Sequence, residues 1–206
     1  MRTEAWTDNI WTKDNNTVAS EGISPTNIND VVGNYNRYSY IRKASLIIEN
    51  LTDNSNIEEK YCKQYIAEAR CLRVMVYSWM ARRWGGVMLV DKLMTPNDEM
   101  KLPRTSEEET YRFMVEELKK AIPDLPTKAN KERFTKGAAL TLLTRVALDG
   151  GLYDEVIAAG KQLFEGEEAA NWTIDPEYRK MFGSYTYPVE SKEIQFYFTL
   201  GDKKQY

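Results

Sequence analysis

Histidine is absent from the 206-residue chain. Hydrolases with a Ser-His-Asp or Cys-His nucleophile need imidazole as the base, and most zinc sites need it as a ligand. The composition therefore excludes the commonest nucleophilic and zinc-dependent sites. Metal-ligand motifs and phosphate-binding glycine loops are missing as well. We predict a protein that is not an enzyme and that needs no cofactor or metal.

Cysteine is scarce, with only Cys62 and Cys71 in the chain. Both fall in one predicted helix, where nine residues separate them by roughly 13 Å along the axis and turn them to opposite faces. A disulfide needs Cα atoms within about 7 Å of each other. The two cysteines therefore cannot pair with each other.

Long apolar runs and an excess of basic charge are also lacking. No apolar run approaches the 18 or so residues of a membrane span. Lysine and arginine number 28 against 31 acidic residues, for a net charge of -3. Binding to nucleic acid or to an anionic membrane needs a clustered basic face. We expect neither partner, and a composition with 42% hydrophobic residues indicates a folded, globular chain.

The stretch 59–84 predicts a long helix of about 26 residues. Its apolar residues recur in steps of three or four, which is the helical period. This stripe consists of Tyr65, Ala69, Leu72, Val76 and Met80. Gly85 and Gly86 end the helix, and the short apolar run 87–90 favours a buried extended segment.

Further helices are predicted over about 29–51, 105–122, 138–148 and 152–164, with a short one at 178–182. A capping box over 105–109 begins the third helix of the chain, Pro123 ends it, and residues 193–198 alternate as a strand does. The turn Gly151-Leu152-Tyr153-Asp154 is typical of tetratricopeptide (TPR) repeats. We predict a mostly α fold of TPR-like antiparallel helical hairpins with a few short extended segments.

Residues 1–30 are polar and rich in turn formers, and we predict an irregular loop segment followed by a helical domain over 31–206. Trp6 and Trp11 stand in this loop with Asn15 and Asn16 nearby. One interpretation is that the two indoles pin the loop to the core. The other is a ligand platform, since sugars stack their C–H faces on aromatic rings and need amides for their hydroxyls.

Four motifs in order carry a resemblance to a known family. They are Tyr40-Ile41-Arg42-Lys43-Ala44 with Ile48-Glu49-Asn50-Leu51; Ala67-Glu68-Ala69-Arg70-Cys71-Leu72-Arg73 continuing to Arg83-Trp84-Gly85-Gly86-Val87-Met88-Leu89-Val90; Pro103-Arg104-Thr105 with Leu118, Ala121 and Leu125-Pro126; and Thr135-Lys136-Gly137-Ala138-Ala139-Leu140 with Gly151, Tyr153 and Asp154. Together they resemble the SusD/RagB family of cell-surface glycan-binding proteins. Ser45, Cys71 and Met88 depart from its usual asparagine, phenylalanine and proline, and we interpret them as structural replacements.

The resemblance implies a non-catalytic outer-membrane lipoprotein at the cell surface that binds oligosaccharide. It implies delivery of the glycan to a SusC-like TonB-dependent transporter, which the TPR-like helices contact. Family members are longer and carry a lipid anchor that is not present in this sequence, so we expect a portion truncated at its C-terminal end. The loop before the first helix contributes ligand contacts in the family, which makes Trp6, Trp11, Asn15 and Asn16 the candidates here.

Two other hypotheses come from different classes of protein. A TPR-type scaffold would bind protein without glycan, and it has no need of a tryptophan-bearing polar loop. A glycan-active enzyme would need two carboxylates facing each other across a cleft, which nothing in the sequence supports. We expect the charged residues Glu68, Arg70 and Arg73 to form ion pairs between packed helices.

Overall fold

A computed structural model of the protein describes residues 37–52, 54, 56–98, 101–128, 132–166, 171–183, 191 and 193–196. The chain divides into the units Met1–Tyr38 and Ser39–Tyr206. Apart from the first residue of the first helix, every element below lies in the second unit.

Helices make up almost all of the regular structure. They are α1 (Tyr38–Thr52), α2 (Glu59–Trp84), α3 (Glu107–Ala121), a 3₁₀ turn (Ile122–Asp124), α4 (Lys136–Asp149), α5 (Tyr153–Phe164) and α6 (Tyr178–Gly183). Helix α2 has the predicted bounds. The predicted strand over 193–198 is wrong for 193–196, and the ranges that the structure describes contain no strand.

Successive helices pack side by side, α2 on α3, α3 on α4 and α4 on α5. Only three residues join α4 to α5, and so short a connection makes helical neighbours antiparallel. Helix α1 is held to α2 by a hydrogen bond from Arg73 Nη1 to Ser45 Oγ of 3.1 Å. The predicted fold class of stacked helical hairpins is confirmed.

The buried face of α2 differs from the predicted stripe. Ala69 and Met80 are buried as expected, but Tyr65 and Leu72 are 39% and 38% exposed. The apolar residues of the face that packs inward are Cys62, Ala67, Ala69, Cys71, Val74, Tyr77, Met80 and Ala81. Because apolar and polar residues are mixed around the circumference of α2, periodicity alone fits more than one face. The inward face is the one with small residues, and these allow neighbouring helices to approach.

The predicted capping box of α3 is present at Ser106. Its hydroxyl accepts a hydrogen bond from the Glu109 amide, and the Glu109 carboxylate accepts one from the Ser106 amide, both of 3.2 Å. The hydrogen bonds from the hydroxyl and amide of Ser106 lower the pKa of the Glu109 carboxyl. A fixed starting residue for α3 sets which of its side chains face α2.

The double glycine after α2 is needed for two different reasons. Gly85 has φ of 69°, in the left-handed region that favours glycine. A Cβ on Gly86 would lie 1.9 Å from the backbone oxygen of Thr105, so the chain can pass there only without a side chain. Thr105 N donates to Val87 O at 3.0 Å, and Val87 is fully buried. The predicted helix stop is confirmed. The segment 87–90 is non-helical as predicted, but only Val87 is buried, and Met88, Leu89 and Val90 are half-buried.

We predict that Gly86→Ala destabilises the chain by about 1–3 kcal/mol, because the methyl group overpacks against rigid backbone. Gly160→Ala is the matched control, since its Cβ would meet nothing within 4 Å. In the interior of α5 that control should stabilise by roughly 0.5–1 kcal/mol. Urea unfolding followed by circular dichroism measures both, and equal midpoints for the two variants would contradict the close approach at Gly86.

Candidate functional site

The four residues predicted to contact a ligand, Trp6, Trp11, Asn15 and Asn16, lie outside the described residues. Their role stays a prediction. Among the described residues we consider a buried polar cluster and a cavity.

The buried cluster lies between α2 and α3 and is centred on Glu117, which is only 3% exposed. Arg73, 1% exposed, forms a salt bridge with one carboxylate oxygen. Arg70 Nη1 lies 2.6 Å from the other oxygen. Arg73 Nη1 also donates to Ser45 Oγ at 3.1 Å and to the Asp91 carbonyl at 2.9 Å. Four parts of the chain therefore meet at two buried side chains.

The cluster is suited to holding the helices together and not to chemistry. Both oxygens of Glu117 accept hydrogen bonds from guanidinium groups, and the residue is shielded from solvent. A general base needs a free lone pair within reach of a substrate. The prediction of ion pairs for Arg70 and Arg73 is confirmed, and Glu68 is paired with Arg133, just before α4, at 2.6 Å.

Tyr77 ties the extended segment to α2. Its hydroxyl accepts a hydrogen bond from the Val90 amide at 2.8 Å and donates one to the Val90 carbonyl at 3.2 Å. Its ring packs edge-on against Phe113 of α3, with centroids 5.6 Å apart. Burial raises the pKa of Tyr77 to about 12, so the phenol stays protonated at neutral pH and serves the fold.

The two cysteines are not paired with each other, as the sequence predicted, and both are buried. Burial raises the pKa of the Cys71 thiol, and the carboxylates of Glu68 and Glu117 raise it further. Only the thiolate is a good nucleophile, so Cys71 is an inert core residue. Its burial, with that of Ser45, agrees with the interpretation of both as structural replacements.

Segments from the end of the chain pack on the beginning of α4. Phe196 stacks on Phe134 with centroids 4.4 Å apart, and Gln195 is hydrogen-bonded to Thr141. The Trp172 indole lies so close to Gly137 that a Cβ there would be 2.1 Å from its nitrogen. Phe196 therefore packs on the loop just before α4 and Gln195 bonds to α4 itself, so side-chain contacts hold this segment where the sequence predicted a strand.

A cavity of about 170 Å³ lies between α3, the 3₁₀ turn, α4 and α5. Most of the residues that line it are aliphatic and include Ile122, Pro123, Leu140, Leu143 and Ala159, and the others are charged or polar. At its rim Lys119 Nζ lies 2.5 Å from a carboxylate oxygen of Glu155. The walls come from four separate elements, so no local sequence pattern indicates this cavity.

Two further properties concern metals and membranes. Among the described residues no group of three or more acidic, cysteine or histidine side chains is placed to hold a metal ion. None of the helices in these ranges is both long and apolar enough to span a bilayer.

A family model described as "Starch-binding associating with outer membrane", the SusD-like group, matches residues 2–148 of the 206. The chain belongs to the SusD-like family. The matched range includes α1, α2 and α3 entirely and nearly all of α4. The resemblance drawn from the sequence motifs is therefore confirmed, and the family is described by binding, in agreement with the prediction of a non-catalytic protein.

Relatives of known sequence or structure agree with the assignment. A SusD-like protein of Bacteroides ovatus is 32% identical over 127 residues, which cover 57% of this chain and 23% of that protein. The crystal structure of a SusD-like protein from Bacteroides fragilis is 35% identical with a TM-score of 0.69, covering 77% of this chain and 31% of that one. A structure with a xylogluco-oligosaccharide is 26% identical with a TM-score of 0.60, covering 70% and 30%.

The SusD-like chain described here therefore spans between 23% and 31% of the length of these three relatives. The range matched by the family model, residues 2–148, includes the Glu117 cluster and the double glycine.

We predict that Glu117→Gln destabilises this SusD-like chain by about 3–5 kcal/mol, because it leaves Arg73 charged and uncompensated in the core. Arg73→Met combined with Glu117→Gln should cost less than the sum of the two single changes. Chemical denaturation of the three variants measures this coupling.

The control for this prediction is Arg112→Ala, which breaks the exposed Arg112–Glu108 pair on α3. Exposed pairs contribute little to stability, so its unfolding midpoint should stay close to that of the unchanged chain. If Glu117→Gln shifted the midpoint no more than Arg112→Ala, the cluster would not be a stabilising centre.

Proposed function

We propose that this chain is part of a non-catalytic cell-surface protein that binds oligosaccharide or polysaccharide for nutrient uptake. The observation that supports this most strongly is the match of residues 2–148 to a family described as starch-binding. A structural relative with a xylogluco-oligosaccharide also supports a glycan ligand. In this proposal, residues 1–30 contribute to the site, with Trp6 and Trp11 as stacking surfaces and Asn15 and Asn16 as hydrogen-bonding partners.

Alanine at Trp6 or Trp11 in the full-length protein should weaken glycan binding. Losing an aromatic anchor typically costs more than 1 kcal/mol in binding, so we expect a decrease in affinity of roughly tenfold. Isothermal titration calorimetry against a panel of plant, host and microbial glycans measures this. Once one glycan has been found to bind, it serves for every comparison.

Tyr61→Ala is the control, because it removes an aromatic side chain that is 45% exposed on α2 and outside the loop. This variant should bind as the unchanged protein does. Unaltered affinity in both tryptophan variants would show that the loop assignment is wrong. Absence of binding to every glycan in the panel would count against the function itself.

We also propose that the full-length protein is an outer-membrane lipoprotein that passes its glycan to a SusC-like TonB-dependent transporter. The description of the family as associating with the outer membrane supports the location. The transporter and the lipid anchor are implied by the family resemblance. The stacked helices would be the surface that contacts the transporter.

Co-purification tests the partner. Full-length protein carrying an affinity tag, extracted from membranes in mild detergent, should retain a TonB-dependent receptor that mass spectrometry identifies. An unrelated tagged lipoprotein from the same membranes is the control and should not retain it. Recovery of the tagged protein without any such receptor would oppose this part of the proposal.

A protein-binding scaffold without glycan binding is the second candidate. The observation that favours it is an exposed apolar face on α5, where Tyr153, Ile157 and Phe164 are 65%, 57% and 67% exposed. Exposed apolar faces of this kind mark interaction surfaces. The glycan panel separates the two candidates, since only the first requires a sugar ligand.

A further inference from the structure

Helix α5 carries an exposed apolar stripe beside the face that packs on α4. The α5 stripe consists of Tyr153, Ile157, Gly160 and Phe164. These residues follow one another in steps of four, three and four, which places them on one side of a helix. The three large side chains are each more than half exposed. The buried residues of α5, Ala159 and Leu163, occupy a neighbouring side.

Gly160, in the middle of the α5 stripe, is an unfavourable residue for a helix interior. Glycine weakens a helix relative to alanine because it loses more conformational freedom on folding. A Cβ at this position would meet nothing within 4 Å, so no close contact within the described chain requires glycine there. The missing side chain leaves a notch between Ile157 and Phe164. Since the distance between packed helices depends on the side chains at their contact, this notch suits the close approach of another helix.

The α5 stripe also lies at the edge of the helical stack. Among the described helices, α3 and α4 each pack between two others, whereas α5 packs closely against α4 alone. Proteins built from stacked helical repeats end in capping repeats with a polar outer face, which keeps the ends of the stack soluble. The α5 stripe is apolar, so α5 has the character of an internal helix of a longer stack.

The relatives have the length that a longer stack requires. This chain spans between 23% and 31% of three of them, so most of each relative has no counterpart in it. We propose that in the full-length protein a helix of the same polypeptide, outside residues 1–206, covers the α5 stripe and crosses α5 at Gly160. The face that favours a protein-binding scaffold then belongs to the interior of the full-length protein. This proposal is independent of the glycan and of the transporter.

Thiol labelling of the purified full-length protein tests whether the α5 stripe is covered. Ile157→Cys places a thiol in the stripe, and Gln162→Cys places one on the opposite side of α5, where Gln162 is exposed. The native Cys62 and Cys71 are buried and should react slowly in both variants. Peptide mass spectrometry measures the rate at which each introduced thiol reacts with a maleimide, relative to its own rate in urea.

We expect the thiol of Ile157→Cys to react at least about tenfold more slowly than that of Gln162→Cys, because a covered thiol reacts only when the structure opens locally. Equal rates, or a faster reaction in Ile157→Cys, would overturn the proposal and are the result expected if a separate protein covers the stripe. Protection that is lost on dilution by about a hundredfold would also overturn it, since a second copy of the protein would then be the cover.

Gly160→Leu in the full-length protein tests the crossing point, with Gln162→Leu as the matched control on the opposite side of α5. Leucine is a better helix former than glycine, so an uncovered Gly160 predicts a higher midpoint of thermal unfolding. A helix packed at Gly160 leaves no room for the new side chain, and we therefore expect a lower midpoint. An unchanged or higher midpoint, or an equal decrease in Gln162→Leu, would overturn the crossing at Gly160.

Discussion

Two arginine–glutamate contacts at the buried Glu117 determine how the helices of this chain fit together. Glu117 and Arg73 are charged groups removed from water, and such groups are tolerated only when they are paired. Arg73 also donates to Ser45 on α1 and to the Asp91 carbonyl after the double glycine. Moving α3 by one turn, about 5.4 Å, would separate Glu117 from both arginines. The pairing therefore selects one register among the many that apolar packing alone would allow.

The turn after α2 depends on the same register. The chain must leave α2 through Gly85 in a left-handed conformation and pass the backbone of Thr105 at Gly86. Tyr77, one turn beyond Arg73, then holds Val90 by two hydrogen bonds. Since Asp91 is both the next residue and an acceptor for Arg73, a shift in the cluster would also displace the extended segment. The cluster, the turn and the extended segment thus constrain one another.

The sequence predicted the features that depend on local chemistry. The bounds of α2 follow from helical periodicity ended by Gly85, and the start of α3 from the Ser106–Glu109 capping box. It did not predict which face of α2 is buried, because that choice depends on small residues and on Glu117 in another helix. The strand prediction failed for a similar reason, since Phe196 packs against Phe134, distant in sequence. The cavity has walls from four elements, which no local pattern reveals.

Ligand recognition needs polar groups that can change partners, and the cluster residues are poorly placed for this. Glu117 is buried and already accepts from two arginines, so a ligand could use it only by disrupting the helix packing. At the cavity rim, the side chains of Lys119 and Glu155 are 41% and 32% exposed. Exposed ion pairs contribute only about 0–1 kcal/mol, so these two side chains can change partners at little cost to the fold. Recognition is therefore expected at the margins of the helical stack, while the interior keeps its geometry.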